Sequence, residues 1–381
     1  MTKKILYISG TRADYGLMRS ALEAIDQSTG LDLEIVATGM HLMPEFGNTV
    51  KEIQADGFKL HKIPVVYEED TRAAMSVFIG KFITLLTKKV AEIKPDLILL
   101  LGDRGEVLAG AIVGNYLGIP VVHVHGGEIT STVDEPVRHA ITKLAHIHLT
   151  ATKKSARRII RMGEDPACVY AVGAPGLDSI LKGRYTSHEI LYKKYHLVPS
   201  EPILLVVQHP VSDEIPDSAR NIKTTLDAVT ELGYQTIVVY PNADTGGRMM
   251  IPVIEEYCRL PFFQAYKNIP HDDYLGLLSI ASVLIGNSSS GIIEAPSFHL
   301  PVINIGTRQQ GRERAVNIID TRYNKYEIRD SIIEALQDKP FLNRVRRCNN
   351  PYGQGNSSEK IVTVLSNLKL NKIKIQKKNF Y

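Results

Sequence analysis

Residues 79–106, IGKFITLLTKKVAEIKPDLILLLGDRGE, contain the pattern that decides the fold. In the first half of this stretch, apolar side chains recur at spacings of four and three residues, which predicts a helix with one buried stripe. Lys94 and Pro95 end that helix, because proline cannot continue helical hydrogen bonding. The apolar run of residues 96–101 is typical of a strand that is covered on both faces of a parallel sheet. A helix that leads into such a strand indicates the crossover unit of a doubly wound α/β fold.

The alternation of strands and helices occurs twice along the chain. The clearest predicted strands are residues 5–9, 33–38, 96–101 and 121–125 in the first half, and 203–208, 235–240, 283–286 and 302–305 in the second. A charged, tyrosine-rich stretch near residues 180–200 separates the two sets. We therefore expect two Rossmann-like domains, residues 1–180 and 181–366, followed by a basic tail, 367–381. Ligands bind at the carboxyl ends of such strands, so we expect the site in a cleft between the two domains.

Composition excludes several classes of protein. The chain has 381 residues, of which 44% are hydrophobic and 23% are charged, and this balance is typical of a globular protein. No apolar run approaches the roughly 20 residues that span a bilayer, and the N-terminus leads into a strand-like run rather than a signal peptide. The three cysteines are far apart in sequence, which indicates a reducing compartment. We expect a cytoplasmic protein with no membrane partner.

The formal charge of +4 comes from the C-terminal tail. Residues 367–381 contain five lysines and no acid, and removing these five positive charges from +4 leaves −1. A basic segment at a chain end is usually solvated. The chain also lacks basic stretches interleaved with aromatic residues, so we expect no nucleic-acid partner.

The turn after the first strand contains a candidate anion site. Gly10 permits a tight turn, and the N–H groups that begin the next helix favour an anion. Arg12 is suited to hold a phosphate, and Asp14 to accept a hydrogen bond from a sugar hydroxyl or to hold Arg12. An ordinary strand-to-helix turn with an acid in its first turn is the alternative. No Gly-x-Gly-x-x-Gly occurs here, which argues against a nicotinamide or flavin dinucleotide.

Charged residues also follow the strand at 96–101. Asp103, Arg104 and Glu106 come directly after an apolar run, where charge is costly unless it is paired or exposed to a cleft. Pairing of these neighbours with one another is one interpretation. The favoured one is a catalytic or substrate-binding Asp103.

The segment after residue 121 carries most of the titratable groups, namely His123, His125, Glu128, Asp134, Arg138 and His139. His123 and His125 are two residues apart on a predicted strand and are expected to share a face. Asp134 is a suitable N-cap for the helix that follows. Carboxylates and imidazoles on one loop suit proton transfer. Zinc binding by the paired histidines is the alternative, although no third strand end supplies a matching ligand.

In the second half, small, polar and cationic residues follow the strands: His209, Asn242, Ser288, Ser289, Ser290, Gly291, Glu294 and Arg308. Small side chains at residues 288–291 allow a diphosphate to approach the backbone N–H groups. Glu294, expected in the first turn of the next helix, is suited to accept two ribose hydroxyls. Ion pairs on the surface are the alternative for the arginines of residues 306–314. Together the two halves suit a nucleotide-activated sugar, with the nucleotide in the second half and the sugar in the first.

These motifs, taken in order from residue 5 to about 315, resemble the hydrolysing UDP-N-acetylglucosamine 2-epimerase family. The matching segments are Gly10-Thr-Arg-Ala-Asp14, Thr38-Gly-Met-His41, Gly102-Asp-Arg104, Gly126-Gly-Glu128, Asp134 with Arg138-His139, His209-Pro210, Tyr240-Pro-Asn242, Asn287-Ser-Ser289 and Gly306-Thr-Arg308. The resemblance implies a fold like that of B-type glycosyltransferases. It also implies an enzyme that releases UDP and a free 2-epimerised amino sugar, by elimination and then addition of water, for sialic or related nonulosonic acid synthesis. We expect a homo-oligomer, a dimer or a tetramer, with no cofactor and no metal.

The resemblance assigns roles to individual residues. It implies that Arg12, Arg104, Asn242, Ser288, Ser289, Glu294 and Arg308 hold UDP. The implied catalytic group is Asp103, Asp134 and His209. We expect His125 and Glu128 to orient groups or relay protons, with Asp14, Arg138, His139, Ser290 and Gly291 as further binding candidates.

One residue departs from the sialic-acid-pathway members. They carry Glu where this chain has His125, and His at this position resembles the branch whose substrate is a UDP-2,4-diacetamido-2,4,6-trideoxy sugar. A neutral imidazole can carry a proton near pH 7, so the chemistry is compatible with His. The alternatives are a UDP-sugar glycosyltransferase, a non-hydrolysing epimerase, a metal-dependent hydrolase and a non-catalytic UDP-sugar sensor.

Overall fold

The computed structural model describes residues 2–67, 69, 71–130, 134–211, 213–242 and 244–380. Its strands are β1 (Lys3–Ser9), β2 (Leu31–Ala37), β3 (Lys59–Lys62), β4 (Leu97–Leu101), β5 (Val121–Val124), β6 (Ile147–Thr150), β7 (Val169–Ala171), β8 (Ile203–Val207), β9 (Gln235–Val239), β10 (Phe263–Tyr266), β11 (Val283–Gly286), β12 (Val302–Ile305) and β13 (Ile318–Thr321). Its α-helices are α1 (Arg12–Asp26), α2 (Val50–Ala55), α3 (Arg72–Ile93), α4 (Gly105–Tyr116), α5 (Asp134–Leu144), α6 (Lys153–Arg161), α7 (Gly176–Leu181), α8 (His188–Lys194), α9 (Ser218–Thr230), α10 (Gly247–Tyr257), α11 (His271–Ile280), α12 (Ser290–Ile293), α13 (Lys325–Gln337), α14 (Lys339–Arg346) and α15 (Ser357–Asn367). Short 3₁₀ helices are Gly39–Leu42, Pro44–Phe46, Pro166–Cys168, Ile215–Asp217, Ala295–Phe298 and Leu370–Lys372.

The chain folds into two compact units. The first comprises Met1–Ile129, Val133–Lys182 and Tyr352–Tyr381, and the second comprises Thr130–Thr132 and Gly183–Pro351. The second domain was predicted to extend over 181–366, whereas the second unit ends at Pro351 and the residues after it belong to the first unit. The physical reason is that Ile361 and Leu365 of α15 are buried in the core of the first unit.

The first unit has a seven-stranded parallel sheet in the order β3-β2-β1-β4-β5-β6-β7. Strands β4 and β5 are buried at every position, as expected for strands with helices on both faces. The strand order changes direction between β1 and β4, and ligands of doubly wound sheets bind at the carboxyl ends of the strands at this switch point. The turns that follow β1 and β4 therefore lie where a binding site is expected.

Helix α3 follows the predicted pattern with two differences. It begins at Arg72, earlier than the periodicity indicated, and it ends before Lys94, which adopts a left-handed conformation with φ of 54°. Its buried stripe starts at Phe78 and Phe82, whereas Ile79 is only half-buried. Only the first two positions of the stripe differ by one residue, since Leu86, Val90 and Ile93 are buried as predicted. The two aromatic side chains bury more apolar surface than the isoleucines beside them.

The second unit has a six-stranded parallel sheet in the order β10-β9-β8-β11-β12-β13. Its core contains the buried apolar residues of these strands together with those of α9, α10, α13 and α14. The order changes direction between β8 and β11, so residues 208–210 and 287–289 follow the strands at the switch point of this sheet.

The C-terminal segment is attached to the first unit. The backbone N–H groups of Ser357 and Ser358 at the start of α15 donate to the Asp178 carboxylate at 3.0 and 2.7 Å. A carboxylate stabilises a helix N-terminus, because the first N–H groups of a helix have no partner within the helix. The contact therefore fixes the start of α15.

The prediction of a solvated tail is wrong for Lys377. Its ammonium group donates to the carbonyl oxygens of Thr142, Lys143 and Ala145 at the end of α5. It also lies 2.5 Å from the carboxylate of Glu164, whose side chain is 2% exposed. These contacts satisfy helix carbonyl groups that have no partner within α5 and neutralise a buried acid.

None of the helices in the described part of the chain is long and apolar enough to cross a membrane.

Candidate active site

The turn between β1 and α1 uses Asp14 to hold its own shape. The Asp14 carboxylate accepts hydrogen bonds from the N–H groups of Gly10 at 3.0 Å and Thr11 at 2.8 Å, and from the Ser9 hydroxyl. Thr11 caps α1 and forms a capping box with Asp14. Burial raises the pKa of Asp14, and the hydrogen bonds from Ser9, Thr11 and Gly10 oppose that rise. This geometry supports the alternative for Asp14, an acid that stabilises an ordinary strand-to-helix turn.

Arg12 and Arg104 lie at the two helix starts beside the switch point of the first sheet. Arg12 is the first residue of α1 and is half-buried. Arg104 precedes α4, and its Nε lies 3.5 Å from Oε2 of the buried Glu106. Tyr67 donates to Oε1 of Glu106 at 2.5 Å. The expected pairing of neighbours thus occurs between Arg104 and Glu106.

Asp103 has a different partner, Arg138. The Arg138 guanidinium donates from Nη2 to the Asp103 carboxylate and from Nη1 to the Glu128 carbonyl oxygen at 3.1 Å. Arg138 is 2% exposed, whereas the Asp103 side chain keeps 21% of its surface exposed. A buried guanidinium stabilises the negative charge of the carboxylate and fixes its orientation. Arg138 therefore fixes the position of the Asp103 carboxylate, which stays partly accessible.

His125 and Glu128 form a buried pair. The imidazole Nδ1 of His125 lies 3.1 Å from Oε1 of Glu128, and both side chains are less than 10% exposed. His125 lies beyond the end of β5 and has a left-handed backbone with φ of 61°. The prediction that His123 and His125 share a strand face is therefore wrong, because the left-handed residue turns the chain out of the strand. The Nε2 atom of His125 is buried and has no hydrogen-bond partner in the described part of the chain.

His123 is enclosed in the core of the first unit. Its Nε2 lies 2.7 Å from the Gly102 carbonyl oxygen, and its Nδ1 lies 3.1 Å from the Thr142 hydroxyl. Burial lowers the pKa of His123 to about 3. Within the described residues, no group of three or more His, Cys, Asp or Glu side chains is arranged to hold a metal ion. The geometry does not support the alternative of a zinc site at His123 and His125.

The turn after His125 is shaped by close backbone packing. Gly127 has φ of 76°, and a Cβ atom at this position would lie 2.5 Å from the Ser155 carbonyl oxygen. The Arg158 guanidinium donates to the Gly127 carbonyl oxygen. Only glycine fits here, and the turn presents Glu128 in one position.

Helix α5 carries the other candidates of the first unit. It begins at Asp134, within one residue of the predicted start, and Asp134 is half-buried. His139 lies 3.7 Å from the Glu135 carboxylate, and its pKa is lowered chiefly by burial. Asp134, Arg138 and His139 belong to two successive turns of this helix.

In the second unit, Asn287 joins the ends of β8 and β11. Its side chain accepts from the His209 N–H at 2.7 Å and donates to the His209 carbonyl oxygen at 2.9 Å. The N–H of Asn242, after β9, donates to Nδ1 of His209 at 3.2 Å. A neutral His209 therefore carries its proton on Nε2 and can donate from that atom. The sequence indicated His209 and Asn242 as site residues but not the fully buried Asn287, which positions them.

In the loop of residues 288–291, the first two serines are more accessible than the residues that follow them. Ser288 and Ser289 are half-buried, whereas Ser290 is buried and contacts the Ser288 hydroxyl at 2.9 Å and the Tyr274 hydroxyl at 2.5 Å. Gly291 is packed so closely that a Cβ atom would lie 2.8 Å from Val302. Ser288 and Ser289 remain candidates for binding a ligand, and Ser290 and Gly291 support the loop.

Three predictions for the following residues have different outcomes. Glu294 is buried but follows the single-turn helix α12, so the prediction that it lies in a first turn is wrong. Helix α12 is followed directly by the 3₁₀ helix Ala295–Phe298, which has Pro296 in its first turn and ends at the left-handed residue His299. Arg308 donates to the Asn287 carbonyl oxygen at 3.3 Å and remains a candidate ligand residue. Arg314 instead pairs with Asp320 at 2.7 Å, as the surface ion-pair alternative predicted.

Residues 23–366 match the family described as UDP-N-acetylglucosamine 2-epimerase. The match extends over most of the chain, including every candidate residue named above except Arg12 and Asp14. The chain belongs to the UDP-N-acetylglucosamine 2-epimerase family. The predicted family is thereby confirmed.

Relatives and solved structures agree with this assignment. The chain is 42% identical over 382 residues to the UDP-N,N'-diacetylbacillosamine 2-epimerase (hydrolyzing) of Legionella pneumophila, a match that covers 100% of both chains. It is 36% identical over 333 residues to the UDP-N-acetylglucosamine 2-epimerase of Neisseria meningitidis serogroup B, covering 87% of each. Its fold is similar to the crystal structure of UDP-GlcNAc 2-epimerase from Neisseria meningitidis bound to UDP-GlcNAc, with TM-score 0.80, 18% identity and coverage of 95% of this chain and 99% of that chain.

These findings confirm two further predictions. The chain has the predicted α/β architecture of two Rossmann-like domains, like that of B-type glycosyltransferases. It is an enzyme of the hydrolysing UDP-sugar 2-epimerase type, as expected from the motifs of both halves. The individual residue roles stay predictions.

Proposed function

We propose that the substrate is UDP-2,4-diacetamido-2,4,6-trideoxyglucose, converted to UDP and the free 2-epimer for nonulosonic acid synthesis. UDP-N-acetylglucosamine is the alternative within the same family. The Legionella relative, named for the diacetylated sugar, is 42% identical over its whole length and supports the first choice. His125, in place of the Glu of sialic-acid-pathway members, supports it as well.

The arrangement around Arg138 carries the proposal. One buried guanidinium holds the carboxylate of Asp103 and the backbone of Glu128, whose side chain pairs with His125. A fixed, partly exposed carboxylate beside an imidazole–carboxylate pair provides both a base and a proton carrier. This combination suits a reaction that removes a proton from one face of a sugar and returns one to the other.

Residues of both units are proposed to hold the leaving UDP. The proposed UDP-binding residues are Arg12, Arg104, Asn242, Ser288, Ser289, Glu294 and Arg308. Hydroxyl and guanidinium donors stabilise the negative charge that grows on the diphosphate, commonly by about 3 kcal/mol for a well-placed donor. The Nε2–H of His209 supports the same leaving group.

The reaction proceeds in two steps. In the first, Asp103 removes the proton from C2 while the bond between C1 and the UDP oxygen breaks, which leaves a C1–C2 double bond. In the second, a proton is delivered to the opposite face of C2 and water adds to C1, losing a proton. Asp134 acts in this second step, and the pair of His125 and Glu128 orients or relays the proton.

Deuterated water tests this route. Enzyme and substrate are incubated in it, and free UDP and the deuterium content at C2 of the sugar are measured together. We expect free UDP and one deuterium at C2. Retained protium at C2 would rule out the route, UDP still attached to an epimerised sugar would indicate a non-hydrolysing epimerase, and UDP release only with an acceptor would indicate a glycosyltransferase.

Two UDP-sugars assayed side by side test the substrate. We expect a higher kcat/KM with the 2,4-diacetamido sugar than with UDP-N-acetylglucosamine, and the reverse order contradicts the proposal. His125→Glu places a second buried carboxylate beside Glu128, which favours protonation of one of them. We therefore expect lower activity in this variant.

We further propose a homo-oligomer in the cytoplasm. Helix α3 leaves Val77 54% exposed and Leu85 38% exposed, which supports burial against a second copy. The free thiols of Cys168, Cys258 and Cys348 support a reducing compartment. Light scattering on the purified protein tests the first statement, and a monomer at assay concentration contradicts it.

A further inference from the structure

His123 joins the two elements that carry Asp103 and Arg138. Its Nε2 lies 2.7 Å from the carbonyl oxygen of Gly102, the residue directly before Asp103. Its Nδ1 lies 3.1 Å from the hydroxyl of Thr142, which is one helical turn after Arg138 on α5. His123 and Thr142 are both 0% exposed. The imidazole therefore spans from the end of β4 to α5.

The partners of the ring fix its protonation. A carbonyl oxygen only accepts, so Nε2 of His123 carries the proton and donates it to Gly102. Nδ1 then accepts from the Thr142 hydroxyl. Burial lowers the pKa of His123 to about 3, so the ring is neutral at every pH at which the enzyme is expected to work. We therefore expect His123 to fix the positions of Gly102 and Thr142 and not to exchange a proton during the reaction.

The surroundings leave the ring little freedom to move. A Cβ atom on Gly126 would lie 2.8 Å from Nδ1 of His123, so the following turn packs directly onto the imidazole. The segment from the end of β4 to the start of α4 contains only Gly102, Asp103 and Arg104. Because this segment is short and Gly102 is hydrogen-bonded to the ring, a displacement of the ring also displaces Asp103.

We propose that His123 is a positioning residue, which sets the distance between Asp103 and the Arg138 guanidinium by tying the end of β4 to α5. This inference rests on the proposed catalytic role of Asp103. It assigns His123 a function that differs from both proton transfer and metal binding. Loss of these hydrogen bonds moves the Asp103 carboxylate relative to the sugar. Arg104, a proposed UDP-binding residue of the same segment, keeps its separate ion pair with Glu106 at 3.5 Å. We therefore expect a larger effect on kcat than on the affinity for UDP.

Thr142 offers the sharpest test, because its hydroxyl can be removed without touching the ring. Thr142→Val keeps the side-chain shape and removes the donor to Nδ1, and we expect kcat to fall about 10- to 100-fold with a much smaller change in UDP affinity. Thr142→Ser restores the hydroxyl, and we expect it to recover kcat to within about 3-fold of the wild type. Thr236→Val is the matched control, since Thr236 is 1% exposed and donates to the Tyr234 carbonyl oxygen at 2.9 Å at the start of β9.

The control separates positioning from a general loss of stability. Both valine variants lose the hydrogen bond of one buried threonine, so we expect a fall in Tm for both but a fall in kcat only for Thr142→Val. Equal kcat values for Thr142→Val and the wild type, or an equal fall in Thr236→Val, would overturn the proposal. If the wild type releases no UDP from either sugar, the proposed function fails instead.

Nitrogen NMR on the folded enzyme provides a second readout that does not depend on the variants. We expect the His123 ring to be the neutral Nε2–H tautomer with shifts that do not change between about pH 5 and 8. A His123 ring that titrates in this range would contradict a purely positioning role.

Discussion

Arg138→Met is the most informative perturbation of the candidate site. The variant removes the donor to the Asp103 carboxylate and the donor to the Glu128 carbonyl oxygen. A hydrogen bond to a charged group contributes about 1.5–3 kcal/mol, and a buried carbonyl that loses its donor costs a further ~1–3 kcal/mol. Because the Asp103 side chain is 21% exposed, water recovers part of the first amount. We expect the free energy of unfolding to fall by about 2–4 kcal/mol.

The effect on catalysis follows from the position of Asp103. Displacement of a catalytic group by about 1 Å costs on the order of 100-fold, so we expect kcat of Arg138→Met to fall by at least that factor. Arg138→Lys is expected to recover little, since an ammonium group cannot reach both acceptors as the planar guanidinium does.

A double-mutant cycle with Asp103→Asn tests whether the two residues act as one unit. Unfolding by urea, followed by far-UV circular dichroism, gives the stability of the four proteins, and release of UDP gives kcat. We expect a coupling of about 1–2 kcal/mol in stability and little further loss of kcat when Arg138→Met is added to Asp103→Asn. Independent, additive losses would refute the argument that Arg138 acts through Asp103.

Three further predictions concern stability, the glycine turn and metals. Lys377→Met is expected to destabilise the protein by roughly 2–4 kcal/mol at pH 7. Burial raises the pKa of Glu164, but its hydrogen bonds with His148, Lys143 and Lys377 outweigh this and lower the pKa to about 2. The stabilising contribution of this cluster is therefore present above pH 4.5 and is lost as the pH falls toward 2. The difference between wild type and variant in urea unfolding should therefore shrink over that range, and a constant difference contradicts it. Gly127→Ala is expected to lose activity, whereas Gly183→Ala, with φ of 65° but open space around its Cβ, costs only about 1 kcal/mol and keeps activity. Dialysis against a strong chelator should leave kcat unchanged, and a loss restored by one added metal would favour a metal-dependent hydrolase.

The sequence predicted the strands that form the centre of each sheet. Residues 97–101 and 203–207 are uninterrupted apolar runs, and the structure has β4 and β8 there. Edge strands were missed because their sequences mix polar and apolar residues and show no clear strand pattern. Strand β3, for example, reads KLHK and is half-exposed, so its position depends on pairing with β2 rather than on its own pattern.

The candidate site was predicted residue by residue but not as a set of contacts. Asp103 and Arg138 were each singled out, yet a single sequence contains no signal that joins residues 35 positions apart. The two glycines after His125 indicated a turn, but the sequence did not show that His125 itself already has the left-handed conformation. Asn287 was overlooked as a positioning residue because its role consists of two hydrogen bonds to the backbone of a distant residue.

The return of residues 352–381 to the first unit has a consequence for synthesis on the ribosome. The nascent chain exposes all of Gly183–Pro351 before it releases α15, whose Ile361 and Leu365 complete the core of the first unit. The second unit can therefore mature while its neighbour is still unfinished. Helix α15 thus completes the core of a Rossmann-like layer whose strands are translated before the second unit.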